Sequence, residues 1–202
     1  MHKRNAKAGV WLVVGGLVIL LMLMAMMYHN KAVELDEKVG AAWSQVLNQY
    51  KRRTDLVPNL VNTVKGYASH EKEVLTEVTE ARSKVGQMQI SPQMLKDPAA
   101  FAAFEKNQAA LSSALSRLMV VVERYPELKA NQNFLALQSQ LEGTENRIAV
   151  ARRDYIEAVR RYNTMLRQMP AKLFLAVTDG ELEPKPTFSI SEAESKTPTV
   201  AF

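Results

Sequence analysis

Cysteine is absent from this chain of 202 residues. Its absence excludes disulfides, thiolate metal sites, a cysteine nucleophile and a lipid-modified N-terminal cysteine. Histidine is scarce, with only His2, His29 and His70. His2 and His29 flank an apolar run on opposite sides, so no zinc ligand set assembles. A di-iron site in a helical bundle needs Glu-x-x-His on two helices, yet Tyr67 stands three residues before His70. A serine triad needs a histidine base, and only His70 could serve; beside Glu71 and Lys72 it reads as a surface residue. Glycine is sparse: Gly15-Gly16 lies in the apolar run, while Gly40, Gly66 and Gly143 are isolated in helical patterns, so no loop cradles a phosphate. The net charge of +5 is spread along the chain with no basic face interleaved with aromatics, which argues against nucleic acid. The expectation is no catalytic residue, no metal, no cofactor and no evident small-molecule substrate.

What the chain does have is a long uncharged run at residues 8–27, AGVWLVVGGLVILLMLMAMM. At 1.5 Å of rise each, about 20 residues cover roughly 30 Å, the thickness of a bilayer's hydrocarbon core. Trp11, Leu12, Leu17, Ile19, Leu20, Leu21 and Tyr28 carry the expected anchor, with the two aromatics near its ends. A cleavable signal peptide is the competing reading, but its apolar region is shorter and the small-x-small site near Ala25 is poor. Lys3, Arg4 and Lys7 precede the span, whereas acids first appear after it, so residues 1–7 are expected in the cytoplasm. The rest of the chain then lies on the outer side of that membrane.

After the anchor the pattern is helical nearly to residue 170, so the fold class is all-α with about four long helices. Leu35, Val39, Ala42, Val46 and Tyr50 recur in steps of three and four over residues 31–53, widened by Trp43 and Leu47. Nothing between this segment and the anchor breaks a helix, which allows one long helix through both. Pro58 lacks an amide hydrogen, a deficit cheapest in a helix's first turn, and Asp55 or Thr54 supplies a candidate cap. A kink or tight helix corner at Asp55 and Pro58 is therefore expected, placing Arg52 and Arg53 near the end of the incoming helix. A second helix follows to about Val85, then a loop over 88–98.

The third helix, about 99–125, repeats Phe101, Phe104, Gln108, Leu111, Leu115, Leu118, Val122 and Tyr125, a heptad seam with one polar member. The fourth, about 128–169, carries Phe134, Leu137, Leu141, Thr144, Ile148, Ala151, Tyr155, Ala158, Tyr162, Met165 and Met169 in the same steps. At about 40 residues it outruns the third helix, so part of its stripe is expected to pack on another helix or another chain. Phe134, Leu137, Leu141, Ile148, Tyr155 and Tyr162 are the candidate interaction seam. Pro170 stops this helix. Residues 171–202 form an expected tail, largely irregular, with an apolar start at 171–177 suited to docking on the bundle or the membrane surface.

Two stretches, AAWSQVLNQYKRRTDLVPNLVNTVKGYASHEKEVLTEVTEARSK at 41–84 and YPELKANQNFLALQSQLEGTENRIAVARRDYIEAVRRYNTMLRQMP at 125–170, resemble the LemA family of bacterial membrane proteins. The resemblance implies one N-terminal membrane helix at 8–28 followed by an elongated antiparallel helical bundle at 29–170, and carries over no catalytic residues. The leading expectation is a non-enzymatic scaffold at the bacterial inner membrane, self-associating as a homo-oligomer or binding another membrane protein. The alternative is an extracytoplasmic sensor or adaptor.

Overall fold

The computed structural model describes residues 2–88, 92–178 and 182–188. Among these the secondary structure is helical throughout: α1 His2–Tyr67, α2 Lys72–Gly86, a 3-10 turn Pro92–Lys96, α3 Pro98–Val122, α4 Pro126–Lys129, α5 Gln132–Arg167 and α6 Ala171–Thr178. The all-α expectation holds, and the apolar span and first soluble segment form one unbroken helix, α1. Of the largely irregular tail expected over 171–202, residues 171–178 instead form the helix α6, 182–188 are without helix, and 179–181 and 189–202 lie outside the described residues.

Of the kink or corner expected at Asp55 and Pro58, the corner does not form: α1 runs through both residues without a break. Pro58 sits inside α1, and the turn comes ten residues later, between Tyr67 and Lys72. A proline within a helix frees the carbonyl four residues before it. Here that carbonyl belongs to Thr54, and Arg82 Nε of α2 donates to it at 3.2 Å. Asp55 caps nothing; it pairs with Lys51 one turn earlier, 3.2 Å away. The apolar stripe Val57, Leu60, Val64 and Ala68 keeps its period through the proline, and all four are buried. The actual turn is closed by Ala68 N–H donating to Val64 O and Glu71 N–H donating to Ala68 O. Glu71 is held there from outside by Tyr125 Oη–H at 3.0 Å and by Arg124 at 3.0 Å.

Other boundaries follow local chemistry. Asp97 Oδ1 accepts from Ala99 N and Ala100 N at 2.9 and 3.1 Å, capping α3 with Pro98 in its first turn. The expected fourth helix begins as the single turn α4, pauses, and restarts as α5 where Asn131 Oδ1 accepts from Phe134 N at 3.0 Å.

The chain divides into two packed units to which α1 and α5 both contribute. In the first, residues 1–41 and 157–185, Ala32, Leu35, Val39, Val159, Tyr162, Met165, Ala171 and Leu175 are buried. In the second, residues 42–156 and 186–202, Val57, Leu60 and Val64 of α1, Val78 of α2, Leu111 and Leu118 of α3 and Phe134 of α5 form one core, with Leu128 of α4. An ion pair between Arg117 and Glu77 runs along the packed α2 and α3.

Candidate functional site

In the first unit the dominant feature is an apolar surface with no protein cover. Trp11, Leu12, Leu17, Ile19, Leu20 and Leu21 are all exposed, Leu12 by 77%, and no residue of the most apolar window is buried. Large apolar side chains left wholly in water are costly, and a continuous helical face of them fits hydrocarbon. Tyr28, where this run ends, stacks on Phe174 of α6 with ring centroids 5.6 Å apart and planes 14° from parallel. Just beyond, Glu34 accepts from Lys31 at 2.8 Å and Lys38 at 2.5 Å. The hydrogen bond from Lys31 first, then that from Lys38, hold its carboxyl down at about 2.

Residues 182–185 in this unit are ordered by specific bonds and not loosely arranged. Asn163 Nδ2 donates to Lys185 O and Lys185 N donates to Asn163 Oδ1, at 3.0 and 2.9 Å. Lys185 Nζ lies 3.0 Å from Asp36 and over the Tyr162 ring. On the outer face of α5, Glu157 accepts from both Arg160 and Arg161, and those bonds, Arg160's first, lower its carboxyl to about 2.

In the second unit, Arg53 is 1% exposed, a burial its expected place at a helix end did not suggest. Neighbouring Arg52 is exposed. Arg53 lies on the core stripe between Tyr50 and Val57, so its guanidinium enters the bundle and must find acceptors. Nη1 donates to Ser112 Oγ at 2.6 Å and Glu145 Oε1 at 3.0 Å; Nη2 donates to Gln108 O at 3.2 Å and Gln108 Oε1 at 2.5 Å. The cation also sits 5.0 Å from the Tyr50 ring centroid. Arg53, Gln108 and Thr144, the polar members of three apolar stripes, are all buried. Sequence reasoning noticed Gln108 and Thr144 in their seams but missed that Arg53 shares the register of Val46, Tyr50 and Val57. That spacing was the available signal.

Beside this polar layer stands an aromatic cluster. Trp43 contacts Phe101, Phe104, Tyr155 and Phe188 at centroid distances of 5.5, 5.3, 5.2 and 6.1 Å. Phe188 is buried, Arg152 covers its ring at 4.4 Å, and Tyr155 Oη–H donates to Pro186 O at 2.8 Å. Burial, chiefly, pushes the phenols of Tyr50 and Tyr155 above their ordinary range. The cavity next to Arg53, about 340 Å³, mixes Lys106 and Arg152 with Glu105 and Glu145.

The candidate interaction seam is used within the chain. Phe134, Leu141, Ile148, Tyr155 and Tyr162 are buried, and Leu137 packs against the core. The stripe is longer than α3, but it also meets partners that sequence could not pair with it, among them Trp43 of α1 and Phe188 of the tail against Tyr155. Only Met169, at its far end, stays exposed. His70 is exposed in the turn before α2. Among the described residues no three His, Cys, Asp or Glu side chains gather as a metal site.

These features define an all-α protein whose N-terminal helix is long and apolar enough to span a bilayer, compatible with a single-pass membrane protein. The LemA family model matches residues 42–202, and the chain belongs to that family. Among curated relatives, magnetosome proteins MamQ 2 and MamQ 1 of Paramagnetospirillum magneticum are each 25% identical over 177 residues, covering 80% of this chain and 65% of theirs. Protein LemA of Metamycoplasma hominis is 24% identical over 140 residues, covering 68% of this chain and 58% of that protein. The chain thus spans less than two thirds of these relatives' own lengths.

Proposed function

We propose that the protein is a non-enzymatic, membrane-anchored scaffold of the bacterial inner membrane, with its N-terminus in the cytoplasm and its helical units on the outer side. The observation that carries this reading is the uncovered apolar stretch of α1, which continues without interruption into a helix whose later turns are buried in protein. Lys3, Arg4 and Lys7 before the span support this orientation. Confinement to a plane raises effective concentration, so weak lateral contacts suffice for self-association or for binding another membrane protein. Those contacts use surfaces other than the α5 seam, whose residues are already buried or, for Leu137, packed against the core. Native mass analysis and cross-linking of the full chain in mild detergent test the scaffold: higher-order species or a co-purifying membrane partner are expected, and a strict monomer without a partner refutes it.

The unbroken α1 favours one second reading, an extracytoplasmic sensor or adaptor that passes a rearrangement along this helix. A flexible Gly-Ser insertion after Asn30 separates the two. Signalling through a rigid helix is abolished by it, whereas scaffolding by an anchored bundle survives.

A further inference from the structure

α6 is apolar on nearly every face. Its sequence, AKLFLAVT, has Lys172 as its single charged side chain. A helix of that composition is stable when covered on all sides, yet the protein covers one side only. Ala171 and Leu175 are buried, whereas Leu173 is 59% and Val177 85% exposed, and Met169 just before the helix is 71% exposed. The location of this bare flank is fixed by the Tyr28–Phe174 stack, which ties α6 to the residue where the apolar span of α1 ends. Met26 and Met27, the last span residues before it, are themselves exposed. The apolar surface of α6 therefore continues the apolar surface of the span. Lys172, exposed, accompanies it, and its long stem allows its ammonium group to reach headgroup phosphates while the carbons stay in apolar surroundings.

We propose that α6, with Met169, is a second membrane contact: an interfacial helix that lies against the headgroup and acyl boundary of the same bilayer that α1 crosses. The bilayer is the occupant because the flank adjoins a surface already suited to lipid. This inference rests on the anchor reading above. It gives the first unit two points of attachment, the span and α6.

The absence of cysteine makes the test clean, since single-cysteine variants of the full chain accept a spin label at one site. Labels at Leu173→Cys and Val177→Cys are read in phosphatidylethanolamine/phosphatidylglycerol vesicles by collision with oxygen, which partitions into lipid, and with a nickel chelate, which stays in water. Leu20→Cys in the span and Glu37→Cys, exposed about two and a half turns beyond Tyr28, provide the lipid and water references. The expected result is an oxygen-to-nickel ratio at 173 and 177 several-fold above that at 37. A water-like ratio at both, with position 20 reading lipid, overturns the inference and leaves the anchor standing. A water-like ratio at position 20 as well overturns both. Labels at 173 and 177 shielded from both reagents indicate a protein partner or a second copy, which also overturns it. All four substitutions fall at exposed positions, and far-UV circular dichroism of each variant is expected to match the unsubstituted chain.

Discussion

The buried layer around Arg53 allows a quantitative test of what holds the second unit in register. Arg53→Met removes the cation, keeps much of the volume, and strands Gln108 Oε1, which is buried with its residue 3% exposed. Glu145 is 42% exposed and can return to water, so its loss adds little. The main cost is one charge-assisted hydrogen bond to a buried acceptor, about 2 kcal/mol. Gln108→Leu leaves a buried guanidinium short of one partner while Ser112 and Glu145 remain, again about 2 kcal/mol. In the double variant neither group is left over, and the buried Thr144 keeps its bond to Gln140 O. The double variant is expected within about 1 kcal/mol of the unsubstituted protein, since buried ionic groups replaced together by apolar ones of similar size are often neutral. The coupling energy is then about 3 kcal/mol, far outside the roughly 0.5 kcal/mol within which independent sites add. Urea denaturation of the full chain in mild detergent, followed by far-UV circular dichroism, measures all four corners of the cycle. Additive single effects, or an Arg53→Met variant as stable as the parent, would refute the claim that the two side chains stabilise each other.

Three further outcomes follow from individual contacts. Arg82→Ala is expected to cost about 1–2 kcal/mol by leaving the Thr54 carbonyl unpaired, and much less in a Pro58→Ala background, where the helix supplies that carbonyl's own donor; denaturation of the parent, both single variants and the double measures the difference. Phe188→Ala removes a buried ring from the aromatic cluster and is expected to destabilise by about 2–4 kcal/mol, with a red shift of Trp43 emission in a Trp11→Phe background; unchanged emission counts against the packing described. Glu157 titrates in the folded protein near 2, below its ordinary 4.5, so the stabilisation from its two arginines is present above about 4.5 and is lost as pH falls through about 2. Carboxyl carbon NMR of an Arg160→Gln, Arg161→Gln variant is expected to show that midpoint moving back up.

The helical class, the apolar span, the approximate start of α3 and most of the buried stripe were legible in the linear chain. Each rests on neighbours within a turn or two, or on the summed hydropathy of one continuous segment, and is therefore written locally. The family resemblance was also carried by contiguous stretches. Tertiary structure decided where α1 turns, because a proline's cost depends on whether something distant repairs it, and here Arg82 of α2 does so for Thr54. It decided that Arg53 is a core residue, since its acceptors lie 55 to 92 positions away. It also decided that the α5 seam is occupied. A stripe shows in sequence which face seeks cover, but the cover comes from whichever surfaces the folded chain brings to it.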